Sequence, residues 1–217
     1  MEVAKSLMEH RKEYHRTCLQ TDSGELIVEG PLFPNTLKRY PFHAGLIAFR
    51  PPEEQRAALI GIAQLTEGRV LIARTETEVI GYVTFLHPDP LEHWSSGNME
   101  DLMELGAIEV AAPYRKDGVA RALLRTAFSD SYMENYIVIS TEYYWHWDLK
   151  GTGLSIWEYR QMMEKLMSTV GMERFSTDDQ EITSHPANCL MVRIGNRVPL
   201  DSLAKFDRLR FRNRIFY

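Results

Sequence analysis

Two short runs of β-forming residues joined by a polar link do most to limit the fold of this chain. "RVLIAR" (69–74) and "VIGYVTFL" (79–86) are rich in β-branched and aromatic residues, and only "TETE" separates them. Such a pair is typical of a β-hairpin. Because this antiparallel hairpin precedes any strand–helix–strand crossover, a doubly wound sheet is excluded. We predict an α/β (α+β) fold with a mixed, mostly antiparallel sheet and helices on its faces.

The rest of the chain alternates strand and helix patterns. Further strands are expected at 24–30, 102–110, 136–140, 172–177 and 188–195. A helix is expected over 50–65, where prolines and acidic residues mark its start. Apolar residues at helical spacing predict two more helices, over 120–128 and over 156–170, the second ended by Gly171.

The length and composition indicate a single domain. A chain of 217 residues with 44% hydrophobic content can build one substantial core. We expect an N-terminal extension at 1–20, the domain at 21–200, and a basic, aromatic tail at 201–217. The net charge of −5 argues against a general nucleic-acid binder.

The two cysteines, Cys18 and Cys189, support neither a disulfide framework nor a zinc ribbon. The N-terminus has no apolar stretch of signal-peptide length, and no run reaches the roughly 18 apolar residues of a membrane span. We therefore expect a cytoplasmic protein that binds neither membrane nor nucleic acid. The sequence leaves its oligomeric state open.

The stretch "YRKDGVARALL" (114–124) indicates an anion site between a strand and a helix. Gly118 has no Cβ, so a ligand can approach the backbone while the N–H groups of the first helical turn point outward. The helix dipole and the side chains of Arg115, Lys116 and Arg121 favour a pyrophosphate. The alternative is that Gly118 only serves the turn. Neither a Walker A loop nor a G-x-G-x-x-G fingerprint is present.

The hairpin, the strand ending in "IEV", the R-x-x-G-x-A loop and the following helix resemble the acyl-CoA-binding core of the GNAT (GCN5-related N-acetyltransferase) superfamily, over about residues 69–195. Beyond this core, the chain resembles the acetoin utilization acetyltransferase family of bacilli over nearly its whole length. The segments that carry this second likeness are "FRPPEEQ", "HPDPLEHWSSGNMEDLMELGAIEV", "ENYIVISTEYYWHWDLKG", "SHPANCLM" and "FDRLRFRNRIFY".

The resemblance implies a GNAT fold whose central parallel strands, 102–110 and 136–140, splay apart. Acetyl-CoA is implied to lie in the gap as cosubstrate and to leave as CoA, with no metal involved. Backbone near Ile108, Glu109 and Val110 would pair with its pantetheine arm. The loop residues implied for its pyrophosphate are Arg115, Lys116, Asp117, Gly118, Val119, Ala120 and Arg121. The family is also implied to acetylate a lysine of AMP-forming acetyl-CoA synthetase and so switch it off.

Direct acetyl transfer needs a base, because a free lysine with a pKa of about 10.4 is almost wholly protonated at neutral pH. Glu104 is the first candidate, since it lies eleven residues before Arg115, the spacing at which histone-type members of the superfamily carry their base. Glu109 is the second candidate and Glu142 the third. Alternation puts Glu104 and Glu109 on opposite faces unless a bulge intervenes. The alternative for each is a solvated acid.

The resemblance also implies a tyrosine late in the second crossover helix as proton donor to the CoA thiolate, but this sequence has Met167 there. Tyr143, Tyr144, His146 or Tyr159 could substitute, or water could serve.

The aromatic stretch "EYYWHW" (142–147) is interpreted as a wall for the substrate, with core packing as the alternative. Its candidate contact residues are Tyr143, Tyr144, Trp145 and His146. A nearby group of His87, Asp89 and His93 lacks regular ligand spacing, so we expect no metal site there.

In the tail "FDRLRFRNRIFY" (206–217), arginines alternate with mostly apolar residues, a pattern typical of an extended segment with one basic face. These arginines are Arg208, Arg210, Arg212 and Arg214. We interpret the tail as a docking arm for the phosphate-binding site of acetyl-CoA synthetase. The alternative is that its apolar face covers the core of its own domain.

Together these features predict a protein lysine N-acetyltransferase that uses acetyl-CoA. Two alternatives stay open. One is a small-molecule amine acetyltransferase on the same fold, and the other is a non-catalytic, CoA-responsive docking regulator of the synthetase.

Overall fold

The computed structural model describes residues 8–22 and 24–211, and within them eight strands form one mixed sheet. The strand order is β1-β2-β3-β4-β5-β6-β8-β7. The strands are β1 His15–Thr21, β2 Gly24–Gly30, β3 Arg69–Arg74, β4 Val79–Leu86, β5 Leu102–Val110, β6 Ile137–Glu142, β7 Glu173–Phe175 and β8 Cys189–Ile194. Each strand that the sequence predicts is therefore present.

The helices lie between these strands and at the end of the described chain. They are α1 Pro34–Leu37, α2 Pro52–Gln64, α3 Val119–Phe128, α4 Leu149–Thr152, α5 Ile156–Ser168, α6 Gln180–Thr183 and α7 Leu200–Arg210. Short 3-10 turns cover His93–Gly97, Ala112–Tyr114, Ser131–Asn135 and Tyr144–His146.

Local chemistry explains where the two long helices α2 and α5 begin. Pro52 stands in the first turn of α2, where a missing N–H leaves no helical hydrogen bond unmade. Ser155 and Glu158 form a capping box at the start of α5, each side chain bonding to the backbone of the other. The helices expected over 50–65, 120–128 and 156–170 are confirmed within a few residues.

The only parallel pair of neighbouring strands in the described sheet is β5 with β6, and all the other neighbours are antiparallel. Their pairing runs over Leu102 with Ile137 and Met103 with Val138, and ends at Glu104 with Ile139. The remainder of β5, up to Val110, continues without pairing to β6. The two central strands thus splay apart, as the resemblance implies.

A β-bulge interrupts β5 at Gly106. Thr84 of β4 lies opposite Ala107, while the next residue, Phe85, lies opposite Leu105, so Gly106 is an extra, unpaired residue. A Cβ at this glycine would lie 2.8 Å from the Cδ2 atom of the Leu86 side chain. A larger residue at this position would therefore require the end of the Leu86 side chain to move.

The bulge changes which side chains share a face. Glu104 lies opposite Leu86, and Glu109 lies opposite Tyr82. Tyr82 and Leu86 are four residues apart on one strand, so they and their partners project from the same face of the sheet. Glu104 and Glu109 therefore lie on the same face, which the unbroken alternation would not have given.

Apolar clusters cover both faces of the sheet. One face packs against α3 and α5 through a first cluster that includes Leu71, Val83, Phe85, Met103, Leu123, Leu124, Val138 and Met167. The other face carries a second cluster under α1 and α2, which includes Leu37, Leu46, Leu59, Val70, Ile72 and Tyr82. It also carries a third cluster under α7, which includes Trp94, Leu102, Ile139, Leu190, Phe206 and Leu209.

The expected N-terminal extension at 1–20 contains all of β1 except Thr21, and this strand pairs with β2 along its whole length and forms one edge of the sheet. Most of its side chains are exposed, so its sequence "HRTCLQT" lacks the apolar alternation that marks a strand.

The tail is helical where its alternation predicted an extended segment, so that prediction is wrong for residues 206–210. Phe206 and Leu209, three residues apart on one face of α7, are 1% and 8% exposed and pack into the third cluster. Arg212 and Arg214 lie outside the described residues.

No helix within 8–22 and 24–211 is long and apolar enough to cross a bilayer.

Candidate active site

Glu104 lies at the point where β5 and β6 separate, with the second cluster on one side of it and the third on the other. Its Oε1 atom accepts a hydrogen bond of 3.2 Å from the Thr141 hydroxyl on β6. This bond joins the two strands just beyond their last backbone pair. The carboxylate is thus fixed at the inner end of the splay.

The surroundings of Glu104 favour its protonated form. Burial raises the pKa of Glu104 to about 7, and the charges of Glu92 and Asp89 add to the rise against the Thr141 hydrogen bond. At neutral pH the group therefore exchanges a proton readily, as a general base must.

Glu109 shares this face, but each of its carboxylate oxygens already accepts a hydrogen bond from the protein. Its Oε2 accepts 2.6 Å from the Tyr82 hydroxyl and its Oε1 accepts 2.8 Å from the backbone N–H of Ala48. The residue is 5% exposed. Glu109 therefore holds the segment before α2 against the sheet, and of the two acids Glu104 is the better placed to accept a proton.

Glu142 projects from the opposite face, because it and Thr141 are neighbours on β6. It accepts hydrogen bonds from the Ser140 hydroxyl at 2.9 Å and from the Trp147 indole N–H at 3.1 Å. Burial raises the pKa of Glu142. The third candidate base is therefore remote from the face that Glu104 shares with Glu109.

The loop between β5 and α3 has the backbone shape of an anion site. Gly118 caps α3 with φ 81°, Lys116 has φ 78°, and no side chain caps the helix. A Cβ built on Gly118 would meet nothing within 4 Å, so the space above this backbone is open. The first-turn N–H groups therefore face a space that a phosphate group could fill.

The basic side chains of this loop differ in how freely they could bind a ligand. Lys116 and Arg121 are exposed. Arg115 instead donates from Nε to the Val110 carbonyl at 3.1 Å and from Nη1 to Asp148 Oδ2 at 2.7 Å. The predicted phosphate ligand Arg115 is thus held by protein groups at the mouth of the splay.

The aromatic stretch after β6 forms a stacked row at the surface. Tyr143 stacks on Trp145 with ring centroids 4.8 Å apart, Tyr144 lies 4.3 Å from the ring of His185, and His146 lies edge-on to Trp145. Trp145 is 48% exposed. His146 is also exposed, whereas Tyr143 is half-buried and packs against the third cluster, so the row has one accessible end and one end that packs on the core.

The residues first considered as metal ligands have structural partners. His87 Nε2 is 3.1 Å from the Glu100 carbonyl, and His93 Nε2 is 2.7 Å from the Leu209 carbonyl at the end of α7. Over the described ranges, no three His, Cys, Asp or Glu side chains are grouped as a metal site requires.

The comparisons with known proteins agree with this geometry. A family model described as the acetyltransferase (GNAT) family matches residues 36–147, more than half of the chain. The chain belongs to the GNAT acetyltransferase family. It is an acyl-CoA-dependent N-acetyltransferase.

This GNAT enzyme has relatives of nearly the same length. Two proteins called acetoin utilization protein AcuA, from Bacillus licheniformis and Bacillus subtilis, are each 57% identical to it over 210 residues, which cover 97% of this chain and 100% of theirs. The crystal structure of an acetoin utilization protein from Exiguobacterium sibiricum superposes with a TM-score of 0.92. It is 52% identical, with 95% of this chain and 98% of that one covered.

Two positions on α5 bear on which residue of this GNAT enzyme could give a proton to the CoA thiolate. Met167, where a tyrosine was implied, is fully buried in the first cluster. Tyr159 lies two turns earlier on α5, with its ring stacked 5.1 Å from Trp147. Burial raises the pKa of Tyr159, while a hydrogen bond with the Asp148 backbone acts in the opposite direction.

The two described arginines of the tail differ. Arg210 donates to the Ser176 carbonyl at 2.6 Å and lies over the Phe175 ring at 5.0 Å, whereas Arg208 is exposed.

Sequence reasoning missed Tyr82, Thr141 and Asp148. Of these, only Asp148 had a local signal, as an acidic residue directly before a helix.

Proposed function

We propose that this enzyme transfers the acetyl group of acetyl-CoA to a lysine side chain of a protein, in the acetoin utilization for which its relatives are named. The protein substrate that we propose is AMP-forming acetyl-CoA synthetase, which the modification would switch off. The observation that carries the proposal is the position of Glu104 where the pairing of β5 and β6 ends.

Glu104 supplies the base. With a pKa of about 7, it is partly ionised at neutral pH and is a stronger base than an ordinary carboxylate. It takes a proton from the lysine ammonium group, directly or through one water. The neutral amine then attacks the thioester carbonyl carbon and a C–N bond forms. As the C–S bond breaks, CoA leaves as the thiolate, and the nitrogen gives up its second proton, which replaces the proton that the thiolate takes up.

The unpaired edge of β5 supports a site for acetyl-CoA. Backbone groups near Ile108, Glu109 and Val110 lie beyond the last β5–β6 pair and would bond to the pantetheine arm. A backbone N–H near Val110 would stabilise the carbonyl oxygen as it gains charge. The N–H groups from Lys116 to Arg121, with the dipole of α3, would hold the pyrophosphate.

Tyr159 is the residue we propose to return a proton to the CoA thiolate. Its raised pKa keeps the phenol protonated at neutral pH, which is the state a donor needs. It is on α5, which packs on the same face of the sheet as α3.

The exposed aromatic row and the acids around it support a cationic acceptor. The charges of Glu92 and Asp89 act on Glu104, and those of Asp179 and Glu181 act on Tyr143. A lysine approaching along aromatic rings and carboxylates gains both cation–π and charge attraction. An open row suits a protein segment better than a closed pocket would.

The test is an acetylation assay with radiolabelled acetyl-CoA and the purified synthetase, followed by mass spectrometry of its peptides. We expect label on a lysine of the synthetase, and loss of that label with Glu104→Gln. Label found instead in low-mass products of a cell extract would favour a small-molecule amine acceptor. Inhibition of the synthetase by CoA-loaded protein without any label would favour the non-catalytic regulator.

A further inference from the structure

Arg115 and Asp148 form a bridge at the mouth of the splay. On the β5 side, the Nε atom of Arg115 donates 3.1 Å to the carbonyl of Val110, the last residue of that strand. Its Nη1 atom donates 2.7 Å to Oδ2 of Asp148, which follows β6. One guanidinium therefore connects the end of one splayed strand to the segment after the other.

Asp148 is itself held firmly. Its Oδ1 accepts 2.8 Å from the N–H of Gly151 and caps α4, and its carbonyl accepts 2.7 Å from the Thr152 hydroxyl. A Cβ at Gly151 would lie 2.3 Å from Oδ2 of Asp148, so only glycine allows this approach of the carboxylate. The carboxylate thus has one oxygen for its own helix and one for Arg115.

The neighbour of Asp148 ties the bridge to β6. Trp147 donates from its indole nitrogen to Glu142, the last residue of β6, at 3.1 Å. The path from Val110 through Arg115, Asp148 and Trp147 to Glu142 therefore spans the gap between the ends of the two strands.

The two hydrogen bonds of Arg115 leave further N–H groups of its guanidinium that could donate to an anion. A guanidinium has five N–H groups, and the bonds to Val110 and Asp148 use two of them. The Arg115 side chain is 31% exposed, so its remaining N–H groups can be reached from outside. Because two bonds at different nitrogens fix a planar group, the direction of those free donors is set before a ligand arrives.

We propose that Asp148 is a positioning residue for acyl-CoA: it holds the Arg115 guanidinium across the splay so that its free N–H groups meet a phosphate of the cosubstrate. This inference rests on the proposed acetyl-CoA site. The sequence indicated Arg115 as a charge at the pyrophosphate site, and the inference adds the residue that holds it in place.

The test compares wild type with Asp148→Asn, a variant that keeps an oxygen to cap α4 but loses the charge that holds Arg115. We expect the dissociation constant of CoA, measured by calorimetry, to rise roughly tenfold, as for a coupled pair of this kind. The matched control is Glu53→Gln, which removes an exposed carboxylate paired with an arginine on α2. It should bind CoA as wild type does.

Two further measurements separate positioning from a merely structural role. In an Arg115→Ala background, Asp148→Asn should have no additional effect, because its action passes through Arg115. With acetyl-pantetheine, which has no pyrophosphate, the KM of Asp148→Asn should equal that of wild type.

Unchanged CoA affinity in folded Asp148→Asn, additive effects in the double variant, or an equal loss with acetyl-pantetheine would each overturn the inference. If the wild type itself failed to bind CoA, the proposed cosubstrate site would fail as well. The wild-type measurement therefore distinguishes failure of the proposed function from failure of this inference alone.

Discussion

Glu104 and Glu109 are two carboxylates on one strand and one face, and their surroundings separate their chemistry. Glu109 accepts hydrogen bonds at both oxygens, from Tyr82 and from the Ala48 backbone. Glu104 accepts one hydrogen bond, from Thr141, and burial lifts its pKa to about 7. The first arrangement makes Glu109 a structural anchor, and the second suits a group that gains and loses a proton.

Replacement of the proposed base should remove one limb of the pH–rate profile. A general base works in its ionised form, so wild-type kcat/KM should rise with pH through about 7 and then level off. In Glu104→Gln we expect turnover to fall about 10²- to 10⁴-fold and this limb to disappear. Steady-state kinetics from pH 5.5 to 9 measure both effects.

The matched control is Glu109→Gln, on the same strand and face. This variant should keep the rising limb of the pH–rate profile, although the hydrogen bond that holds the segment around Ala48 is weakened. If the limb vanished in Glu109→Gln and survived in Glu104→Gln, the base would have to be reassigned.

The sequence could indicate Glu104 but not the environment that makes it reactive. Its spacing from Arg115 is local, whereas the contact of Glu109 with Ala48 joins residues 61 apart. The bulge at Gly106 was foreseeable only as a possibility, since a glycine in a strand is consistent with a bulge without requiring one. Such long-range contacts decide which of two similar acids has both oxygens occupied by protein hydrogen bonds.

At the scale of elements, the β5–α3 loop depends on backbone that only glycine adopts easily. Gly118→Val should raise the dissociation constant of acetyl-CoA roughly tenfold or more, because a branched side chain would fill the open space above the helix N-terminus. Valine at φ 81° also strains the backbone by about 1–3 kcal/mol. Calorimetry and thermal unfolding on the same samples measure the two effects.

The control for strain is Gly171→Val. Gly171 has φ 79° and a Cβ there would lie 3.8 Å from Arg193 Nε, so the variant has matched strain beyond the C-terminus of α5. It should lower the unfolding temperature as Gly118→Val does while leaving acetyl-CoA affinity unchanged. Equal affinity in all three proteins would remove the anion-site argument.

α7 shows how a period-two pattern can mislead. Arg208 and Arg210 alternate with apolar residues, yet Phe206 and Leu209 at helical spacing find a place in the third cluster. Tertiary burial of those two side chains outweighs the short alternation. The position of the cluster is set by Trp94 and β8, which are distant in sequence, so the alternation alone could not reveal the helix.

Phe206→Ala should therefore destabilise the whole domain by about 3–5 kcal/mol, the usual cost of removing a buried phenylalanine ring. Arg208→Ala, two residues along the same helix and exposed, should leave the unfolding free energy nearly unchanged. Urea denaturation of the three proteins checks this. Similar stability of Phe206→Ala and wild type would mean that α7 is not part of the core.

For the whole molecule, the hairpin and the order of strands and helices sufficed to predict a mixed sheet, and the resemblance to the GNAT superfamily implied its splayed central strands. That success has a physical reason: β3, β4 and β6 are buried, and buried strands have strong apolar patterns. The edge strand β1 has mostly exposed side chains and therefore left no such pattern. The β1 edge of the sheet was therefore hidden from sequence reasoning, while its centre was not.

A last expectation concerns how the whole molecule meets the proposed synthetase. Because Leu209 belongs to the core, a test of the predicted docking arm must keep α7 and end the chain after Phe211. That truncation removes Arg212 and Arg214 and should leave thermal stability and acetyl-CoA affinity unchanged. Association with the synthetase should weaken and become less sensitive to salt, since exposed charge pairs are screened by ions.

Full-length protein with both arginines changed to lysine keeps the charge and should retain the salt dependence. A truncated protein that binds the synthetase as tightly at low salt would rule out the docking arm.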